Sequence, residues 1–182
     1  MPDIVMGFPV EKYKSIKSEK CVSISVTKVE KDGKGNISST PYIDEIRQWV
    51  SFYITAGYTI EFVSFEDSVD LDVVSLILSS VNNEYLDKIK VVQYKKDDAL
   101  ISLAKAEIVI STRFHSMVLA ALLNKKQVIY SYSDKTSNFA SDYGFIVHPV
   151  TGTIEGKSAY QTAFEQSDID LAKTYPNFLM SK

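Results

Sequence analysis

The sequence predicts an α/β fold, a Rossmann-like three-layer domain with a mostly parallel sheet. Short apolar runs rich in β-branched residues alternate along the chain with amphipathic stretches, as in repeated βα units. One run, residues 108–110, is apolar at consecutive positions, which is typical of a central parallel strand buried on both faces. With 182 residues, 45% of them hydrophobic and 24% charged, the chain fits one globular domain with a single core.

The predicted strands are short runs enriched in β-branched and aromatic residues. In chain order they are residues 21–26, 59–65, 89–94, 107–112 and 127–132, with 145–150 as a possible sixth. Cys21 is the only cysteine and is expected to pack within the first strand, because a single thiol provides neither a disulfide framework nor a metal cluster. His148 falls in the last run and is given no functional role.

Cap residues and glycines mark the helices between these strands. The expected helices run from Pro41 to about residue 57, then over 68–81, 97–106, 114–123 and 137–143. Thr40 is expected to cap the first helix, and Asp67 or Ser68 the second. Asn124 and Gly144 are expected to end the last two.

The two ends of the chain differ from these repeated units. Residues 1–20 combine a strand-like run with a lysine-rich stretch, and we expect them to be an interdomain connector. Residues 21–150 are expected to form the Rossmann-like domain. Residues 151–182 are polar with helical periodicity and are expected to form a helical segment of the same domain.

The charge and hydropathy of the chain exclude several classes of partner. A net charge of −3 and a pI near 5.4 argue against a broad attraction to nucleic acid or to anionic lipid. Because 18 of the 20 basic residues are scattered lysines, any site for an anion must be local. Neither a secretory leader nor an apolar run of membrane-spanning length is present in this sequence, so we expect a cytoplasmic location.

Two rare cationic residues, Arg113 and His115, directly follow the predicted central strand. In open α/β sheets, ligands bind beyond the carboxyl ends of strands, where the next helix directs its unpaired N–H groups outward. A guanidinium makes paired bonds to phosphate or carboxylate that lysine cannot reproduce. Ser111 and Thr112 are expected to cap that helix or to offer hydroxyls to a ligand. The pattern therefore predicts an anion site, with Arg113 and His115 projecting into solvent.

The following strand adds polar residues to the same edge if the two strands are adjacent. Residues 131–135, SYSDK, place Lys135 there as a second positive charge. Simpler interpretations remain open at this point. Arg113 would also be explained by a surface ion pair with Glu107 or Asp134, and Lys135 by a solvated loop position.

Residues 111–144, STRFHSMVLAALLNKKQVIYSYSDKTSNFASDYG, resemble the signature region of the polysaccharide pyruvyl transferase family. In that family a strand ends in an Arg-x-His turn, and a small-residue helix, an apolar strand, a Tyr-x-x-Lys segment and an Asp-x-Gly turn follow. The matching positions here are Arg113, Phe114, His115, Tyr132, Lys135, Asp142 and Gly144.

The resemblance implies a glycosyltransferase-B-like enzyme that transfers a pyruvyl group from phosphoenolpyruvate, as a ketal, to a sugar of a cell-surface polysaccharide or its precursor. Arg113 would bind the phosphate or carboxylate of the donor, assisted by the Phe114 backbone and by Lys135, and His115 would act as general acid. Protonation of the vinyl carbon is the step that requires such an acid. Neither a metal nor a cofactor beyond this donor substrate is expected.

The resemblance also implies that the chain is the C-terminal, donor-binding half of a two-domain enzyme. We expect the N-terminal domain of the same polypeptide to be missing and the isolated half to be inactive. A sugar or lipid-linked oligosaccharide acceptor would bring the enzyme to the inner face of the membrane. The alternatives are half of a glycosyltransferase or epimerase that uses a nucleotide sugar, and an anion-binding module without catalysis.

Overall fold

The computed structural model describes residues 8–29, 41–145 and 147–150 of the chain. The strands in this part are β1 (Cys21–Ser25), β2 (Thr59–Val63), β3 (Ile89–Val92), β4 (Ile108–Ser111), β5 (Lys126–Ser131) and β6 (Val147–Pro149). The α-helices are α1 (Glu11–Lys14), α2 (Pro41–Thr55), α3 (Asp67–Leu78), α4 (Lys96–Lys105), α5 (Phe114–Leu122) and α6 (Asp134–Asp142). A short 3-10 helix, Asn83–Lys88, precedes β3.

The strands form one all-parallel sheet in the order β3-β2-β1-β4-β5-β6. β1 and β4 lie side by side at its centre, and the chain leaves them towards opposite edges. Such a reversal of strand order opens a crevice beyond the carboxyl ends of the two central strands. The predicted α/β class and the central position of the fourth strand are therefore confirmed.

Helices cover both faces of the sheet, which gives the three predicted layers. α2 and α3 pack on one face, where Trp49, Phe62 and Tyr130 are among the largest buried side chains. α1, α4, α5 and α6 lie on the other face, where Leu103 and Met117 are fully buried. Removing this apolar surface from water is the main term that stabilises the fold.

β4 is buried on both faces, as its consecutive apolar residues predict. Ile110 belongs to the core under α2 and α3, and Val109 to the core under α4 and α5. In register, Ile110 lies beside Ile24 of β1 and Val128 of β5. β4 is thus held rigidly between two neighbours, and so is the turn that follows it.

Residues with positive φ end three of the helices. Gly57, Asn124 and Gly144 have φ angles of 84°, 55° and 71°. This left-handed conformation is the usual one just after a helix and favours glycine or asparagine. All three residues had been expected to end helices, and the structure confirms them.

The start of α3 differs from the prediction. Glu66 precedes α3 as its N-cap residue, so the expected cap by Asp67 or Ser68 is wrong. Asp70, one turn into the helix, instead accepts hydrogen bonds from backbone N–H groups at the start of the helix. Its Oδ2 accepts the backbone N–H groups of Phe65 and Glu66, at 2.9 and 3.0 Å.

The segment before β1 packs on the domain instead of standing apart from it. Val10 and Tyr13 are buried beside α4, and the Tyr13 hydroxyl donates a hydrogen bond to Asp97. The interdomain-connector role of this segment stays a prediction. The expected cap Thr40 and the expected helical segment at 151–182 lie outside the described residues.

His148 of β6 makes the stability of the fold depend on pH. Its side chain is buried, its Nδ1 has no hydrogen-bond partner among the described residues, and burial lowers its pKa to about 4. Above pH ~6.5 the ring is neutral in both the folded and unfolded chains. As the pH falls towards 4, His148 becomes protonated in the unfolded chain but stays neutral in the folded protein. The free energy of unfolding therefore decreases across this pH range.

We expect this single group to remove about 3 kcal/mol of unfolding free energy between pH 6.5 and 4. The measurement is urea unfolding across that range for the protein and for His148→Phe. Because carboxylates also titrate near pH 4, the result is the difference in unfolding free energy between the two proteins at each pH. Parallel stability curves would contradict the assignment.

Candidate functional site

The end of β4 is fixed to β1 and to α2 at the carboxyl edge of the sheet. The Thr112 N–H donates to the Ser25 carbonyl at 3.1 Å, which continues the pairing of the two strands by one residue. The Thr112 hydroxyl hydrogen-bonds the Tyr42 hydroxyl at 2.8 Å. Burial raises the pKa of Tyr42 above its ordinary value, so this phenol stays protonated. Arg113 therefore leaves the sheet from a rigid position.

Arg113 forms a buried ion pair that the sequence analysis did not predict. Its Nε and Nη2 both donate to Oδ1 of Asp70, at 2.9 and 2.5 Å, and Nη2 also lies 3.0 Å from Oε2 of Glu66. The Asp70 side chain is 0% exposed, that of Arg113 17% and that of Glu66 54%. The expectation that Arg113 projects alone into solvent is wrong, and the suggested partners Glu107 and Asp134 are wrong as well.

The ion pair explains how a cation is tolerated at this position. Burial alone would lower the pKa of Arg113, but the hydrogen bonds and charges of Asp70 and Glu66 outweigh it and raise the pKa. Asp70 is fully used, because two backbone N–H groups occupy its other oxygen. Among the described residues no group bonds Nη1 of Arg113, whereas Nη2 is shared by Asp70 and Glu66.

Arg113 is also the N-cap residue of α5, and no side chain caps this helix. The first backbone bond of the helix runs from the Met117 N–H to the Arg113 carbonyl, at 3.1 Å. The N–H groups of the three residues before Met117 therefore have no carbonyl within the helix, and the positive end of the helix dipole is left open beside the guanidinium.

Ser111 and Thr112 do not serve this helix end. Both are 1% exposed, and neither caps α5. Ser111 shares a 3.2 Å hydrogen bond with Ser116 and donates to Gln127 at 3.3 Å. The two hydroxyls are buried and bond to other protein groups. Contrary to the expectation, they are not exposed where a ligand could reach them.

His115 is exposed and lies at the wall of a cavity of about 380 Å³. Phe8, Phe65 and Tyr94 also line this cavity, and apolar residues of α4 and α5 complete it. Phe65 is the neighbour of Glu66 in the loop between β2 and α3. The loop that reaches Arg113 therefore also forms one side of the cavity next to His115.

Lys135 lies close to the start of α5, as predicted for the loop after the adjacent strand. Its Nζ is 4.0 Å from the centre of the Phe114 ring, a distance at which a cation is attracted to an aromatic face. The residue is not in a loop, however. α6 begins at Asp134 instead of residue 137, because the Ser133 hydroxyl accepts the Thr136 N–H at 3.5 Å and caps the helix.

Asp70 is the residue of the site that sequence reasoning missed. It lies 43 positions from Arg113, and no local pattern connects the two. One signal was present: Asp70 precedes Val73, Val74 and Ile77 at helical spacing, so it falls on the apolar stripe of α3. A carboxylate on a buried stripe requires a partner, and the chain has only two arginines to supply a paired one.

Two other features are missing from the part of the chain that the structure describes. No group of three or more histidine, cysteine, aspartate or glutamate side chains could hold a metal ion there. No helix there combines the length and the apolar character that crossing a membrane requires.

A family model described as polysaccharide pyruvyl transferase matches residues 1–134 of the 182. The chain belongs to the polysaccharide pyruvyl transferase family. The matched region includes Arg113, Phe114 and His115 and ends just before Lys135. Asp142 and Gly144 of the resemblance also lie beyond it. No curated protein matches the chain.

Several solved structures have a similar fold. S. aureus MnaA in complex with UDP has a TM-score of 0.50 at 16% identity, and the match covers 96% of this chain and 41% of that one. The Neisseria meningitidis UDP-GlcNAc 2-epimerase bound to UDP-GlcNAc has the same score and identity, with 90% and 40% covered. The glycosyltransferase SnogD from Streptomyces nogalater has a TM-score of 0.47 at 12% identity.

At these identities the similarity shows the fold alone, and it is shown by the two structures with a TM-score of 0.50, one of which is an epimerase. The chain spans about two fifths of the length of the first two of these structures. The family is one of transferases. Its donor, its acceptor and the activity of this chain are matters for proposal.

Proposed function

We propose that this chain carries the donor site of an enzyme that transfers a pyruvyl group from phosphoenolpyruvate to a sugar of a cell-surface polysaccharide or its precursor. The observation that carries the proposal is the Arg113 guanidinium. Asp70 fixes it at the crevice between β1 and β4, and its Nη1 has no partner among the described residues. Crevices of this kind are where open α/β sheets bind their ligands.

The charges around Arg113 suit an anion that competes for it. Asp70 is buried, and both of its oxygens already accept hydrogen bonds. Glu66 is about half exposed and contacts only Nη2 of the guanidinium. A phosphate or carboxylate of the donor would displace Glu66 and use Nη1 and Nη2 together. The open N–H groups at the start of α5 would supply further bonds, as helix N-termini do for phosphate.

Lys135, near the start of α5, supports the same assignment. Its ammonium lies over the ring of Phe114, the first residue of the helix, so a second positive charge is close to the helix end. Phosphoenolpyruvate carries a phosphate and a carboxylate on the same carbon atom. Two cations and one helix terminus complement such a compact, multiply charged molecule better than they complement a neutral sugar.

His115 is assigned as the general acid. Its protonated ring would give a proton to the terminal vinyl carbon of the donor, which leaves a cationic centre at the carbon that bears the carboxylate. One sugar hydroxyl would attack that carbon and return a proton to His115. Phosphate would then leave, and a second hydroxyl would attack the same carbon and give its proton to the departing phosphate, which closes the ketal. His115 is exposed at the edge where this carbon would lie, and histidine exchanges protons near neutral pH.

The chain matches only about two fifths of the length of the similar structures, so we propose that the enzyme has a second part. The rest of the crevice would come from an N-terminal domain of the same polypeptide, and this half alone would bind donor without turning it over. A lipid-linked acceptor would place the complete enzyme at the cytoplasmic face of the membrane.

Calorimetric titration of this chain with three anions tests the proposal. Phosphoenolpyruvate is expected to bind saturably, and inorganic phosphate about tenfold more weakly because it lacks the carboxylate. UDP, which the nucleotide-sugar alternative requires, is expected to bind no better than phosphate. Tighter binding of UDP than of phosphoenolpyruvate would overturn the proposal in favour of that alternative.

A further inference from the structure

We propose that the cavity beside His115 binds the pyranose ring of the acceptor sugar. This inference rests on the proposed function, because it gives the second substrate a place next to the donor. It concerns different residues, however: Phe65, Tyr94 and the wall that they form with His115.

The shape and lining of the cavity favour a flat ring that is apolar on its faces and polar at its rim. About 380 Å³ lies near the lower end of the range of small-molecule sites, enough for one sugar ring with its substituents. Two aromatic side chains, from Phe65 and Tyr94, offer faces on which the C–H side of a pyranose can stack. The Tyr94 hydroxyl and the His115 imidazole are polar groups that can bond hydroxyls at the rim.

Exposure of aromatic surface at this place also argues for a ligand. The Tyr94 side chain is 54% exposed, although a large aromatic ring gains free energy when it is buried. Its backbone is nevertheless held in place, because the Tyr94 N–H donates to Oδ1 of Asp67 at 2.8 Å. A ring that is exposed on a fixed backbone is suited to stacking on an incoming molecule.

The position of the cavity connects it to Arg113 through two elements. Phe65 lines the cavity, and the next residue in the chain, Glu66, touches the guanidinium. His115 lines the cavity two residues after Arg113, in the first turn of α5. A sugar in the cavity would therefore border both the general acid and the anion site, which is what a transfer between two bound substrates requires.

The test is an NMR titration of the ¹³C-labelled chain with methyl glucoside, methyl galactoside and methyl N-acetylglucosaminide. At least one of them should shift aromatic signals of Phe65, Tyr94 and His115, with a dissociation constant on the order of millimolar. Tyr94→Ala should weaken that binding about fivefold or more. Tyr132→Ala is the matched control, since Tyr132 is 42% exposed after β5 and does not line the cavity.

Cyclohexylmethanol, a ring of similar size without the sugar hydroxyls, separates a sugar site from a merely apolar one. The inference is overturned if none of the glycosides shifts these signals, if the two tyrosine variants bind alike, or if cyclohexylmethanol binds more tightly than every glycoside. Its failure differs from failure of the proposed donor site, which is judged by phosphoenolpyruvate binding at Arg113. Either result can occur without the other.

Discussion

Asp70→Asn is expected to lower the free energy of unfolding by about 3 kcal/mol or more. The Asp70 side chain is fully buried, and its two oxygens accept bonds from Arg113 and from two backbone N–H groups. An amide of the same shape cannot neutralise the guanidinium, and it also turns an N–H₂ group towards donors that need an acceptor. The measurement is urea unfolding at neutral pH, read as the shift of the midpoint at constant slope.

Asp72→Asn is the control for this change. Asp72 lies on the same helix but is exposed, so its loss should alter stability by no more than about 0.5 kcal/mol. Equal midpoints for the two variants would show that the Asp70–Arg113 pair does not hold the site together.

Arg113→Lys is expected to weaken phosphoenolpyruvate binding by about tenfold to a hundredfold. Lysine keeps the charge, so Asp70 retains a partner and the loss of stability should be much smaller than for Asp70→Asn. It lacks the planar fork, however, so while it bonds Asp70 its single nitrogen cannot offer a donor anion the paired N–H groups of a guanidinium. The measurement is the dissociation constant by calorimetry, together with the urea midpoint.

Two further variants give this prediction its controls. Arg47→Lys alters the only other arginine, which pairs with Asp44 on α2, and should leave binding unchanged. Glu66→Gln removes the anion that competes for Arg113 and should tighten binding by about twofold to fivefold. An affinity for phosphoenolpyruvate that is the same in Arg113→Lys as in the unaltered chain would show that the anion binds elsewhere.

The sheet could be predicted from the sequence because its signals are local. Consecutive apolar residues in β4 indicated a strand buried on both faces, and Gly57, Asn124 and Gly144 marked helix ends through the backbone conformation they favour. The starts of α3 and α6 were harder to place. They depend on which of several adjacent polar residues accepts a backbone N–H, and Asp70 and Ser133 were not singled out for that role.

The surroundings of Arg113 were predicted only in outline. The position of Arg113 at the carboxyl edge of a central strand followed from the strand itself, and the proximity of Lys135 to α5 followed from the pairing of β4 with β5. The partner of Arg113 could not be found in this way, because the contact with Asp70 joins residues 43 positions apart. Arg113 was expected to project into solvent, whereas two carboxylates, Asp70 and Glu66, contact it in the fold.

The most direct test of the central claim is an NMR titration of the ¹⁵N-labelled chain with phosphoenolpyruvate. The largest shifts should be those of the Phe114, His115 and Ser116 backbone amides and of the Arg113 Nε–H, all at the start of α5. Shifts that instead cluster in the cavity of about 400 Å³ lined by Lys90, Lys95 and Lys105, with the start of α5 unchanged, would contradict it.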